Sequence, residues 1–386
     1  MRGAHLALLA PFAVALAVGL ANGCALITCV EDDCAAATGS GGTTSSAGGA
    51  GGASVTATGT TSTGTAGAGG EGGQGGGECT TDCVSGACEL EACQPRCTAL
   101  AGNGQAVAFS PTSQSGTVFA LQSTTQTDLV SITASSLGGG DTPTTIASGI
   151  TAETLATAGD FIFYASSDGT LGAPCAGQQI AGGKLRGAAS LSAQSLWMSQ
   201  GGFELRSASC NVDASHSLGQ FGGSTMGATT FNNGLRIAYT GNPSPSASSP
   251  QLCTLTYDGV SSFTAGDCFD TAPSGAVTMS GVAVTPDAGT ILVAGNTDIW
   301  EVPWGESALA PLLVPGLTET TSIAATESAV FVARLTPPAG GGMLVRCPVG
   351  GPMSECRSYG AAPVGGMTQT KTQVFFTMGA KLCAWE

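Results

Sequence analysis

In Ser322-Ile323-Ala324-Ala325-Thr326-Glu327-Ser328-Ala329-Val330-Phe331-Val332, a run of small residues stands just ahead of a run of apolar, β-favouring ones. The apolar half has relatives along the chain: Val118-Phe119-Ala120, Ile162-Phe163-Tyr164, Leu196-Trp197-Met198, Ile237-Ala238-Tyr239, Ile291-Leu292-Val293 and Val374-Phe375-Phe376. Successive starts lie 44, 34, 41, 54, 39 and 44 residues apart, a mean of about 43. That period matches one four-stranded propeller blade. The small-residue half recurs as well, as Gly187-Ala188-Ala189-Ser190 ahead of Leu196. Innermost propeller strands crowd around a central channel, so small side chains suit them. Turn signals such as Ser167-Asp168-Gly169 follow the apolar runs, and no sustained 3.6-residue period appears. The expectation is an all-β chain whose residues 98–386 form a seven-bladed β-propeller, with six blades as the alternative.

Two first-strand endings, Val107-Ala108-Phe109-Ser110-Pro111 and Val282-Ala283-Val284-Thr285-Pro286-Asp287, resemble those of WD40-like and related propellers. The resemblance implies a fold and leaves the activity open.

Composition narrows the chemistry. The chain has 386 residues, Lys+Arg 11 against Asp+Glu 26, and a formal charge of −15. So few, scattered basic residues cannot neutralise a row of phosphates, which excludes a nucleic-acid partner. The two histidines, His5 and His216, leave little for zinc ligation or imidazole catalysis. The folded region holds no GxSxG elbow, SxxK pair, HExxH helix or P-loop. No catalytic residue, metal ligand or cofactor is therefore assigned. Acidic residues stand singly, as at Asp128, Asp168, Asp258 and Asp287, mostly beside Gly, Ser or Thr, where aspartate caps turns.

The N-terminal part reads as an address. Arg2 followed by the apolar run Leu6 to Leu20 matches a secretory signal over residues 1–23. Leu20-Ala21-Asn22-Gly23-Cys24 resembles a bacterial lipobox, whose cysteine is lipidated and becomes the new N-terminus. Ala21 and Asn22 depart from the family pattern, and ordinary cleavage at the same bond would leave a secreted chain with a free Cys24. Residues 24–34 then form the lipidated N-terminus, and the only membrane contact is the lipid. Residues 35–77 are almost entirely Gly, Ala, Ser and Thr. They can bury nothing to offset ordering, so a disordered tether spanning about 35–40 Å is expected.

Residues 78–97 form a cysteine-rich segment. The run Asp82-Cys83-Val84-Ser85-Gly86-Ala87-Cys88 with Cys93 is similar to a short motif of myxobacterial cell-surface proteins, which implies an exported surface lipoprotein. Of Cys 15, removing a lipidated Cys24 leaves an even number for pairing.

Strand counting assigns four bridges. Cys347 with Cys356, and Cys253 with Cys268, sit at separations suited to cross-strand bonds between third and outer strands. Only one strand's length remains after Val374-Phe375-Phe376, so residues 93–100 should supply the last blade's outer strand. Cys383 then needs an N-terminal counterpart, Cys97 first and Cys93 second. Cys175 and Cys210, placed on third strands of adjacent blades, are left for each other. Cys29, Cys34, Cys79, Cys83, Cys88 and Cys93 stay unassigned.

Two functional classes compete. One is a monomeric, non-enzymatic surface module binding a protein or carbohydrate ligand. The other is an extracellular hydrolase or lyase acting on polysaccharide through converging carboxylates, with Arg206, Arg236 or Arg334 beside them. The missing catalytic motifs favour the first. Exposure of Trp300 and Trp304 on one rim would favour a carbohydrate or peptide site.

Overall fold

Backbones that nearly touch set the architecture. A Cβ added to Gly227 would lie 2.5 Å from the Cα of Ala283, and one on Gly365 would lie 2.1 Å from the carbonyl oxygen of Gly104. Each of these pairs joins the first strands of neighbouring sheets, so only glycine allows the approach. In the computed structural model, seven first strands contact one another in cyclic order: Asn103–Ser110, Thr154–Ala158, Leu185–Ser190, Thr225–Phe231, Gly281–Val284, Thr320–Ala325 and Val364–Gln369. The last packs on the first and closes the ring. The structure describes residues 88–89, 92–111, 116–191, 193–218, 225–241, 251–270, 279–295, 299–306, 310–312, 320–336, 342–349 and 355–386, all within the unit 57–386.

The chain is a β-propeller. Six sheets have four antiparallel strands in simple succession, spanning 103–147, 185–217, 225–270, 281–312, 320–359 and 364–385, the last with one strand from elsewhere. Second strands are the core. Leu196, Trp197, Phe331, Phe375 and Phe376 are each at most 1% exposed, and burying such a side chain contributes about 1.5–3 kcal/mol. Each apolar cluster spans two adjacent sheets. Leu196, Met198 and Phe203 meet Ile237 and Leu255, for example, and Leu292 and Ile299 meet Val330 and Val332. Neighbouring sheets therefore stabilise one another all the way round.

The expected seven four-stranded units are not what the structure has. Six blades are complete, and Thr154–Ala158 with Phe161–Ala165 make a two-stranded hairpin in the ring. The interval from Ile162 to Leu196, 34 residues, is the shortest of the set. Within it Gly169, Gly177, Gly182 and Gly183 adopt positive φ, breaking the extended backbone that two more strands require. Only isolated bridges, Ala165 with Leu171 and Thr170 with Gln179, remain.

The neighbouring blade holds this irregular loop in place. Glu204 and Arg206, 5% and 3% exposed, form an ion pair at 2.8 Å on the third strand Gly202–Ser207. Arg206 donates to the side chain of Gln178 at 2.6 Å and the carbonyl of Gln179 at 2.9 Å, while Glu204 accepts from the Ala181 amide at 2.7 Å. The pair thus satisfies loop groups that a regular third strand would otherwise have paired. Cys175–Cys210 adds a covalent tie, Cα–Cα 5.5 Å. Contrary to expectation, Cys175 lies in the loop and Cys210 in the turn after Gly202–Ser207, neither on a third strand.

Closure joins the two ends of the domain. Arg96–Ala99 pairs with Lys381–Trp385 as the fourth strand of the final blade, with Cys97 opposite Cys383 and a bond between them. Ahead of it, Cys88–Glu89 pairs with Ala92–Cys93, placing Cys88 across from Cys93. The signal, Cys24, the 35–77 tether, Cys29, Cys34, Cys79 and Cys83 lie outside the described residues. Among the described residues, no helix is long and apolar enough to cross a membrane.

Candidate functional site

First strands run outward to one face of the ring, and their last residues there surround a cavity of about 360 Å³. Phe109 and Pro111 come from the 103–147 sheet, Ser190 and Leu191 from the next complete blade, and Ala228, Thr229 and Thr230 from the one after. Pro286 and the turn Thr368-Gln369-Thr370-Lys371 complete it. Convergence of five blades on one cavity places it at the mouth of the central channel. The size lies within the range of small-ligand pockets.

Hydrogen bonds between blades build the walls. Thr157 Oγ1 donates to the carbonyl of Phe109 at 2.8 Å, and the Thr157 amide donates to Ser190 Oγ at 3.0 Å. Gln369 bridges in both directions, Nε2 donating to the carbonyl of Val284 at 2.7 Å and Oε1 accepting from the Ala325 amide at 2.9 Å. Thr370 Oγ1 accepts from the Gln373 amide at 2.9 Å and donates to its carbonyl at 3.0 Å, fixing the turn that carries Lys371. Phe109 is clamped by stacking on Phe375, ring centroids 4.8 Å apart.

The carboxylates named from sequence do not gather here. Asp168 accepts from Ser166 Oγ and the Thr170 amide, Asp258 from the amides of Val260, Ser261 and Ser262, and Asp287 from Thr285 Oγ1 and the Gly289 amide. These hydrogen bonds, led in each case by a Ser or Thr hydroxyl, hold all three below the usual carboxylate range. Asp128 caps the Gly149 amide at 3.2 Å. Among the described residues Glu204 is the one buried acid, and its partner is Arg206. No group of three or more His, Cys, Asp and Glu side chains suited to a metal occurs among them.

The remaining sequence candidates lie outside the cavity lining. Arg236 lies over the rings of Phe231 at 3.8 Å and Trp304 at 4.9 Å and donates to the carbonyl of Ala288. Arg334 is paired opposite Thr320, at the start of a first strand and so at the other end of the channel; burial pushes its guanidinium down. His216 lies on the outer strand Val212–Ser217, and burial lowers its pKa. Trp300 packs against the Val282–Val302 cluster, so it and Trp304 belong to the 281–312 blade rather than to the cavity. The bonded cysteine pairs are Cys97–Cys383, Cys175–Cys210, Cys253–Cys268 and Cys347–Cys356. None lines the cavity, whose residues singled out in the sequence are Phe109, Pro111 and Pro286 of the two first-strand endings and Ser190 of the small-residue run.

No protein-family model matches this sequence, and no curated protein matches it. Among solved structures, the chain is similar to the WD40 β-propeller domain of Doa1, with a TM-score of 0.51 at 9% identity, covering 75% of this chain and 95% of that one. It is also similar to YCF48 bound to D1 peptide, with a TM-score of 0.49 at 12% identity, covering 75% and 94%. The first likeness shows the fold alone, a β-propeller.

Proposed function

We propose that the chain is a surface-anchored lipoprotein whose propeller is a non-enzymatic binding module, with the channel-mouth cavity as its recognition site. One observation carries the reading: residues from five blades line a cavity with hydroxyls, an amide and apolar walls, without a carboxylate among its lining residues. Such a mixture, a few polar groups on a preformed apolar surface, suits binding. The hairpin 154–165, set in the ring between two complete blades, counts in this reading as a seventh blade reduced to two strands. The four disulfides support an oxidising compartment. Lipid on Cys24 would hold the propeller, as a monomer, on the outer membrane or cell surface.

A selection experiment tests the binding site. A random heptapeptide display library is panned against the full chain and against Thr229→Trp, which fills the cavity from a first strand. Enriched peptides should bind the wild type and lose the Trp variant. Peptides that bind both equally, or a library that yields no binder, would sink the proposal. Anchoring is tested separately by intact-mass spectrometry of membrane-extracted protein, where an unmodified Cys24 would refute it.

A further inference from the structure

We infer that the cavity recognises a peptide carboxylate, either a chain's terminal carboxylate or an acidic side chain; this rests on the binding-module reading above. The argument comes from which polar groups of the lining are already used. Ser190, Gln369 and Thr370 have their side chains committed to neighbouring blades or to their own turn. Four lining groups are left, the ammonium of Lys371 and the hydroxyls of Thr229, Thr230 and Thr368. Among the described residues, no side-chain hydrogen bond or ion pair engages any of them.

Lys371 and Thr230 are exposed at the cavity's rim, and Thr229 and Thr368 are half-buried. One ammonium and three hydroxyls on a shared lining suit an acceptor ligand, and a full negative charge makes the strongest such bonds. Nearby acids do not cancel the charge. Asp287, beside the lining residue Pro286, is held by its own turn and faces Arg236. Glu327 donates its amide to the Lys371 carbonyl at 2.8 Å, but no ion pair joins the two side chains. Lys371 is the one charged residue among those lining the cavity, in a chain of net charge −15.

The walls favour a peptide over a sugar chain. Sugar-ring stacking needs an open aromatic face. Phe109, the one aromatic residue of the lining, has a face against Phe375 and its Cε2–Cζ edge within 2.7 Å of where a Cβ on Gly116 would stand. Trp300 and Trp304 belong to another surface. Leu191, Pro111 and Pro286 instead offer small apolar walls suited to a side chain or two.

The test uses the full chain and three N-acetylated tetrapeptide pools, read by saturation-transfer NMR and titration calorimetry. One pool ends in a free acid without acidic side chains, the second ends in an amide with one Asp, and the third is amidated and neutral. Either or both carboxylate pools should bind, the responding pool naming the source, and the neutral pool should bind at least about tenfold more weakly, as loss of a charged hydrogen bond implies. Lys371→Met should abolish that preference, and Lys371→Arg should keep it. Equal binding by the neutral pool, an unchanged preference in Lys371→Met, or tighter binding of tetragalacturonate would overturn the inference while leaving a binding site standing. Failure of every pool on the wild type would instead overturn the binding-module reading itself.

Discussion

Cys97 stands directly across from Cys383 in the final blade, Cα–Cα 4.1 Å, and their bond spans 286 residues of sequence. A strand from the beginning of the domain is thus locked to the strand at its end. Without that strand, Lys381–Trp385 would present an unpaired edge to other chains.

Replacing both cysteines, as Cys97→Ser with Cys383→Ser, should therefore cost far more than losing a local bridge. In the chain-entropy account a loop of this length is worth about 5–6 kcal/mol, against about 3 kcal/mol for one of fifteen residues. Guanidinium unfolding should show the larger loss for this pair than for Cys253→Ser with Cys268→Ser, whose separation is 15. Equal losses would mean that closure does not depend on the bond.

Arg206 should be the most sensitive charged position in the ring. Arg206→Met leaves Glu204 buried without its partner, a change that typically costs about 3–5 kcal/mol. Replacing both residues together by apolar ones should cost less than the single change. Hydrogen exchange at the Ala181 amide, which Glu204 accepts, should quicken in either variant.

Gly227→Ala should destabilise by about 1–3 kcal/mol, the usual cost of forcing an extra carbon into a packed site, because its Cβ meets the backbone of Ala283. Urea unfolding against Gly140→Ala, where a Cβ meets nothing within 4 Å but φ is +87°, separates the inter-blade crowding at Gly227 from backbone strain.

Acid should weaken the fold through the turn aspartates. Asp168, Asp258 and Asp287 have folded pKa values below their ordinary one of 3.8. Their contribution is present above that value and is lost as pH falls through the lower folded values. His216, lowered from 6.5 by burial, adds a loss of the same sign beginning at milder pH. The melting temperature should therefore fall first below about pH 6.5 and again below about pH 4. Asp258→Asn should flatten the second step, and His216→Gln the first.

The repeating pattern was legible because second strands are buried on both faces and so cannot hide their apolar runs, as at Val330-Phe331-Val332 and Val374-Phe375-Phe376. The reduced hairpin was written in the short interval after Ile162 and the glycines that follow. A mean spacing conceals a single defective unit. The cavity was harder to see. Thr229 and Thr230 lie near the end of a strand and Lys371 in a turn more than a hundred residues further on, and only ring closure brings them together. The Glu204–Arg206 pair left no signal beyond two charges two residues apart, which on most strands would face water.

Closure of the ring by the chain's own N-terminal strand is tested most directly by a non-reducing peptide map. Cleavage after Lys381 releases the five-residue peptide 382–386 carrying Cys383, and cleavage after Arg96 and Glu153 isolates a peptide 97–153 whose single cysteine is Cys97. These two peptides should be recovered as one disulfide-linked species. Recovery of Cys383 as a free thiol, or joined to Cys347, would contradict the closed ring.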